Sequence, residues 1–275
     1  MSDINASDRY VVPGLQRGLQ LLGQFTRERR ELSGAELSRR MDLPRASVFR
    51  LLQTLELMGF VERVGDSANY KLGLAVLQLG FEYLSAMELT EHGRPVLEAL
   101  SAATGLSAHL VVRDGCEVVF VAKAAGQSSL FNSIQVGARL PAHATVLGRI
   151  LLINQSAASL RELYATTPLT AFTAQTPTSL VQLKKLIDDI TMRGYGISQG
   201  GFEAGISTIA APVFDHRHSV TAAISVTVPA SRVDEPRQAD LVAHVQAAAT
   251  RLSQRLSHSP NGDTSRSRSL EKSAA

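Results

Sequence analysis

Three helical patterns followed by two short strands occupy residues 14–72, and this order constrains the fold more than any other feature of the chain. Apolar residues recur every three or four positions over residues 14–29, which predicts an amphipathic helix. They are Leu15, Leu19, Leu22 and Phe25. A second helix begins at an S-x-x-E capping box formed by Ser33 and Glu36, and it ends near Met41.

The third pattern predicts a helix over residues 45–58. Residues 60–72 then alternate as two short strands joined by a polar turn. Three short helices followed by a two-stranded ribbon are typical of a winged helix-turn-helix domain, which we assign to residues 11–73. The polar residues before it, 1–10, are expected to be flexible.

The third predicted helix carries arginine, glutamine and small side chains opposite its apolar side. Arginine can pair bidentately with guanine and glutamine with adenine, and small residues allow close approach to the bases. A serine at the start of the helix suits a phosphate. The residues expected to contact DNA from this helix are Arg45, Ala46, Ser47, Phe49, Arg50 and Gln53. Arg63 and Lys71 fit contacts from the ribbon to the DNA backbone, although an ordinary surface role is equally compatible with each.

The charge distribution also favours an anionic partner for the N-terminal part of the chain. The formal net charge is +3, but residues 9–50 hold nine arginines against four acidic residues, a local balance of +5. The remaining residues therefore sum to −2. A basic segment on a nearly neutral body is consistent with DNA binding by that segment alone.

Beyond the ribbon the pattern changes to a second, larger domain. The strongly apolar residues 74–87 read as a linker helix that also packs against another surface. Helical and strand patterns interleave over residues 88–257, with hairpins, which predicts an α+β sensor domain with a mixed or antiparallel sheet flanked by helices. The Ser- and Arg-rich tail, 258–275, has almost nothing to bury and is expected to be disordered.

Composition excludes several classes of protein. No apolar run reaches the roughly 18 residues of a membrane span, and the first residues lack the apolar stretch of a signal peptide. The single cysteine, Cys116, rules out an internal disulfide and a four-thiolate zinc site. No nucleotide fingerprint or catalytic pair is visible, so we expect no cofactor, no metal and no enzyme activity. A cytoplasmic protein is the expectation.

Several separated motifs resemble the IclR family of transcriptional regulators, in the family's order and over about residues 11–256. In the N-terminal half they are the runs at 12–19, 43–52 and 59–61, VPGLQRGL, LPRASVFRLL and GFV. In the C-terminal half they are the runs at 137–145, 193–195, 202–213 and 223–227, GARLPAHAT, RGY, FEAGISTIAAPV and AISVT. This resemblance implies a ligand-controlled repressor or activator that dimerises through its N-terminal domains and often pairs again into a tetramer through its sensor domains.

The resemblance also implies that the sensor domain binds a small organic acid. Carried over by motif position, the pocket residues are Val146, Leu147, Ser198, Ile206, Thr208, Ser225 and Thr227. Relatives commonly have acidic residues where this chain has Ser198, Gln199, Gly200 and Gly201, so the polar partners of the effector differ here.

Local patterns point to the same site. In residues 221–228, bulky apolar residues alternate with small and hydroxyl-bearing ones, which leaves room for a ligand on one face, although close packing against a helix would explain the same pattern. A helix predicted over 143–154 places Thr145 at its first turn, where N–H groups favour an anion. Leu140 would supply an apolar wall. No lysine or arginine is expected in this pocket.

Two other functions remain compatible with the sequence. One is an enzyme that acts on a small acid in the sensor-like domain, although no nucleophile and base are apparent. The other is a constitutive DNA-binding protein whose C-terminal domain only oligomerises. The operator, the effector and the sign of regulation are not encoded in these patterns.

Overall fold

A computed structural model describes residues 11–85, 88–126, 134–229, 231 and 235–257. The segments predicted to be flexible or disordered, 1–10 and 258–275, lie outside these residues, as do the last two residues of the predicted linker helix. The chain divides into two compact units, Met1–Ala86 and Met87–Ala275.

The first unit is a winged helix-turn-helix, as predicted. Its described elements are α1 (Pro13–Leu22), β1 (Leu32–Ser33), α2 (Gly34–Met41), α3 (Arg45–Leu57), β2 (Val61–Arg63), β3 (Asn69–Leu72) and α4 (Leu74–Ser85). The strands form an antiparallel sheet in the order β1-β3-β2. The sequence did not predict β1, because two residues are too few to show an alternating pattern.

The N-terminus of α2 is capped where the sequence predicted it. The Ser33 hydroxyl accepts a hydrogen bond from the Glu36 backbone N–H at 3.2 Å. The Glu36 carboxylate accepts from Arg40, one turn further along the helix, at 3.2 Å. A left-handed residue, Asp42, with φ of 50°, ends the helix and starts the turn into α3.

The prediction for α1 was wrong in its length and in its buried face. The helix ends at Leu22, with Gly23 as its C-cap, rather than near residue 29. Leu15 and Leu19 are 63% and 61% exposed, whereas Leu21 is fully buried. The buried residues of α1 are Gly18 and Leu21, so the helix packs against α3 through the side that carries these two residues. The resulting core consists of Leu21, Phe25, Leu32, Leu37, Val48, Leu52, Val61 and Tyr70.

The second unit is an α+β domain built on one sheet. Its described elements are α5 (Glu88–Thr104), β4 (Ser107–Asp114), β5 (Glu117–Ala124), β6 (Arg139–Pro141), α6 (Val146–Leu151), α7 (Ala157–Leu163), α8 (Leu180–Arg193), β7 (Gly196–Gln199), β8 (Ile206–Phe214), β9 (Val220–Pro229) and α9 (Glu235–Ser257). The strand order is β6-β5-β4-β9-β8-β7, and every neighbouring pair is antiparallel. The sheet is thus antiparallel rather than mixed.

Helices cover both faces of this sheet. Helices α5 and α9 pack against each other and against the sheet, and Gly93 of α5 lies so close to Leu110 of β4 that a Cβ would stand 2.6 Å from it. Successive residues of a strand point to opposite faces. Val111, next to Leu110, therefore faces the other side, where it joins Val146 and Ile150 of α6 and Ile187 of α8 in one core.

Three local predictions in this unit need correction. Asp114 pairs with Glu117, so the two-residue hairpin loop is Gly115-Cys116 and not Asp114-Gly115, because Gly115 supplies the positive φ of 58°. Helix α6 spans only Val146–Leu151, since Thr145 is its N-cap. No element was predicted in the poorly patterned residues 155–180, yet α7 lies there, capped by Ser156.

Candidate DNA-binding face and ligand cavity

Helix α3 presents the predicted outward face. Arg45, Ala46, Phe49, Arg50 and Gln53 are all exposed, and Ser47 is half-buried. Phe49 is an apolar ring that is 54% exposed beside these polar side chains. Because Val48 and Leu52 anchor the opposite side in the core, the exposed face is held rigidly and is free to enter a major groove.

The ribbon lies close to one end of this face. Arg45 and Phe49 of α3 line a shallow groove together with Arg63 of β2 and Tyr70 of β3. The structure therefore brings together two of the predicted helix residues and one of the predicted ribbon residues. Lys71 is not among the residues that line this groove.

Both cations of the ribbon are paired within the domain. Arg63 Nε lies 3.4 Å from Glu56 Oε1 and its guanidinium carbon 5.3 Å from the centroid of the Tyr70 ring. Lys71 Nζ lies 3.8 Å from Glu62 Oε1. Exposed pairs of this kind contribute only about 0–1 kcal/mol. They can therefore exchange for DNA phosphates at little cost.

A cavity of about 60 Å³ lies between the sheet of the second unit and α6. Eight of the nine residues predicted to bind an effector line it, namely Leu140, Thr145, Val146, Leu147, Ser198, Ile206, Thr208 and Thr227. Three of these come from adjacent strands of the sheet, because Thr208 of β8 pairs with Ser198 of β7 on one side and with Thr227 of β9 on the other. The cavity thus combines apolar walls with a row of hydroxyl groups.

Ser225, the ninth predicted residue, does not line the cavity. Its side chain is fully buried, and its hydroxyl has no hydrogen-bond partner within the described part of the chain. It pairs across the sheet with His109 of β4, and the larger imidazole lines the cavity at that position instead. The expectation that Ser225 contacts the ligand directly is therefore not met.

The start of α6 differs from the expected anion site. Thr145 accepts from the Gly148 backbone N–H at 3.1 Å, so its hydroxyl is already engaged as the helix cap. The helix has six residues, less than two turns, and its dipole is correspondingly small. An anion in this cavity needs more than backbone dipoles to hold it.

Several lining residues were missed by sequence reasoning. They are His109, Phe120, Ile134, Ala144, Gly201, Phe202 and Glu203. His109 is 2% exposed, and neither ring nitrogen has a hydrogen-bond partner in the described structure. The signal in the sequence was a single histidine directly before the apolar run Leu110-Val111-Val112. Because burying a polar side chain without a hydrogen bond costs free energy, a histidine on a buried strand indicates a special role.

Two further properties concern the described residues alone. No helix among them combines the length and the apolar character needed to span a bilayer. No group of three histidine, cysteine or acidic side chains among them is arranged to hold a metal ion. His216 and His218 lie between β8 and β9.

A winged helix-turn-helix with an exposed reading face, on the same chain as an α+β domain that encloses a cavity, defines a DNA-binding transcriptional regulator. Profiles of two domains match this chain: the IclR helix-turn-helix domain over residues 14–65 and the bacterial transcriptional regulator IclR C-terminal domain over residues 81–254. The chain belongs to the IclR family of transcriptional regulators, which bind operator DNA and are not enzymes.

Relatives of known role agree with this assignment. The HTH-type transcriptional regulator XynR of Escherichia coli K12 is 29% identical over 248 residues, which cover 90% of this chain and 98% of XynR. The Pca regulon regulatory protein of Pseudomonas putida is 33% identical over 227 residues, 82% of this chain and 77% of that protein. An IclR homologue from Microbacterium hydrocarbonoxydans, solved with 4-hydroxybenzoate, superposes with a TM-score of 0.78 at 26% identity over 90% of this chain and all of that one.

Proposed function

We propose that this protein is a ligand-responsive regulator whose C-terminal domain binds a small carboxylic acid in the cavity between the sheet and α6. The observation that carries the proposal is the cavity itself, which is lined by Thr208 and Thr227 together with the apolar residues Leu140, Leu147 and Ile206. A few polar groups on an otherwise apolar wall fix the orientation of a small ligand. The homologue solved with 4-hydroxybenzoate supports a carboxylic acid as the ligand class.

The volume of the cavity restricts the size of the effector. A water molecule needs about 10–15 Å³ of such volume, so about 60 Å³ accommodates about four to six groups of that size. A short keto acid or hydroxy acid fits this volume as it stands.

We further propose that the regulator acts as a dimer, or as a dimer of dimers, in the cytoplasm. The N-terminal unit exposes apolar side chains on two helices, Leu15 and Leu19 of α1 and Leu74, Leu77 and Leu79 of α4, each more than 60% exposed. Contiguous exposed apolar side chains favour association. A two-fold dimer would bind operator half-sites related by the same symmetry.

The ligand proposal is tested by thermal denaturation of the full chain with a panel of short keto, hydroxy and aromatic acids. A ligand that binds only the folded state raises the melting temperature by mass action. Thr227→Val keeps the shape of the side chain and removes its hydroxyl, so the shift should shrink in this variant. Thr191→Val, on α8 and outside the lining, is the matched control. A panel that leaves the melting temperature unchanged would favour the constitutive alternative.

A further inference from the structure

Arg149 of α6 is a buried cation without a counter-ion. Its side chain is 5% exposed. One guanidinium nitrogen, Nη1, donates a long hydrogen bond of 3.4 Å to the carbonyl of His143, and Nε has no partner in the described structure. Every described ion pair within 4.0 Å joins other residues. Burial lowers the pKa of the guanidinium to about 10, so it remains charged at neutral pH.

The unused edge of the guanidinium has the shape that a carboxylate binds. Nε and Nη2 lie side by side on one edge, and together they form the fork that grips two carboxylate oxygens at once. Nη1, on the far edge, makes the one hydrogen bond that the structure describes for this side chain. A buried guanidinium with its binding edge free is costly unless an anion occupies that edge.

This edge lies behind one wall of the cavity. A Cβ placed on Gly201 would stand 3.8 Å from Arg149 Nη2 and 2.5 Å from Ser198 Oγ. Ser198 and Gly201 both line the cavity, and Ser198 Oγ accepts from the Gly201 backbone N–H at 3.2 Å. The Ala144 carbonyl oxygen would stand 3.2 Å from the same Cβ, so only a glycine fits at residue 201, where the wall of the cavity comes close to the guanidinium.

We propose that Arg149 is the counter-ion for the carboxylate of the effector, which binds at the Ser198–Gly201 end of the cavity. The inference rests on the proposed function and adds to it the residue that selects an anion over a neutral analogue. A carboxylate there would occupy the free edge of the guanidinium. Arg149 would also supply the positive charge that the small dipole of α6 does not. The competing occupant is Glu203, an exposed carboxylate on the same cavity wall.

The test compares carboxylates with their uncharged amides on the full chain. Acetate, pyruvate and benzoate are titrated against acetamide, pyruvamide and benzamide, with the melting temperature as the readout. A carboxylate should stabilise the wild-type protein where its amide does not. Arg149→Met should weaken carboxylate binding about 10- to 100-fold, and Arg149→Lys, which keeps the charge without the fork, should weaken it less. Arg161→Met, an exposed arginine of α7, should change nothing.

A second readout needs no ligand. Because Arg149→Met removes an unpaired buried charge, the ligand-free variant should melt at or above the wild-type temperature. A lower melting temperature would mean that Arg149 is already neutralised. Glu203→Gln then identifies the neutralising group. If this variant also lowers the melting temperature, and the double variant melts no lower than either single variant, Glu203 is the counter-ion of Arg149 and the inference is wrong.

The outcomes separate this inference from the proposed function. A carboxylate that stabilises the wild-type protein and Arg149→Met equally overturns the role of Arg149 and leaves the ligand class intact. Failure of every carboxylate to stabilise the wild-type protein overturns the ligand class, and with it the assigned role of Arg149.

Discussion

At the scale of single residues, His109 shows how burial sets the chemistry of the cavity. The ring packs edge-on against Phe120 with 5.6 Å between centroids, and no hydrogen bond is described for either nitrogen. Desolvation, followed by the nearby charge of Lys123, lowers the pKa of the imidazole from 6.5 to about 4. The neutral ring offers one donor and one acceptor to a ligand.

This lowered pKa predicts a specific loss of stability in acid. Between pH 6.5 and about 4 the unfolded chain binds a proton at His109 and the folded chain does not, so the free energy of unfolding decreases as the pH falls through this range. The full shift corresponds to about 3 kcal/mol at about 1.4 kcal/mol per pKa unit. Urea unfolding of the wild-type protein and His109→Gln at pH 7.5 and 4.5 should show a smaller loss in the variant. Equal losses would contradict the assigned burial.

Arg50 carries the corresponding prediction for the DNA-binding face. Its side chain is exposed, so Arg50→Ala should leave the melting temperature unchanged. If Arg50 contacts a base, operator affinity should fall by about 1–3 kcal/mol. Fluorescence anisotropy on a labelled operator measures this, with the exposed Arg193→Ala in the second unit as the control. Unchanged affinity and an unchanged salt dependence would remove Arg50 from the interface.

At the scale of elements, the sequence predicted most helices and strands, and it predicted the buried side of α3 but not that of α1. The pattern of Leu15 and Leu19 is a regular helical one, yet it lies on the exposed side, because α1 packs against α3 through the side that carries Gly18 and Leu21. Helix α6 was predicted too long because Ala144 and Leu152, on either side of it, are also buried and apolar. Periodicity shows that a helix is amphipathic, whereas tertiary contacts decide which side of the helix is buried and against which element.

The difference between local patterns and tertiary contacts also explains which residues of the cavity were predicted and which were not. Eight predicted residues were found together because their motif positions and strand alternation fix them locally. His109 and Arg149 were missed, since their importance depends on which strands and loops become neighbours. Ser225 was assigned to the right face of the right strand, but the pairing with His109 could not be read from one sequence.

The cap of α2 gives a prediction at this scale. Ser33→Ala removes the acceptor for the Glu36 N–H and should lower the free energy of unfolding of the N-terminal unit by about 0.5–2 kcal/mol. Ser33→Asp keeps an acceptor at the same position and should lose much less. Urea unfolding monitored by circular dichroism compares the two variants. Similar losses in both would show that the hydroxyl is not the stabilising feature.

At the scale of the whole molecule, the exposed apolar side chains of the N-terminal unit predict self-association. Sedimentation at micromolar concentration should give at least a dimer. Leu74→Lys combined with Leu77→Lys should reduce the mass and weaken operator binding, because these side chains are 80% and 62% exposed in the single chain. Val181→Lys, equally exposed in the second unit at 81%, is the matched control. A monomeric wild-type protein with full operator affinity would contradict the proposed dimer.

Control of DNA binding by a ligand can be measured in a single titration. Operator fragments selected in vitro by the full chain are titrated with the protein, with and without a carboxylate that raises its melting temperature. The ligand should change the apparent operator affinity of the wild-type protein, and Thr227→Val should require more ligand for the same change while binding the operator equally well in its absence. An operator affinity that stays constant at saturating ligand would identify a constitutive DNA-binding protein and contradict ligand control.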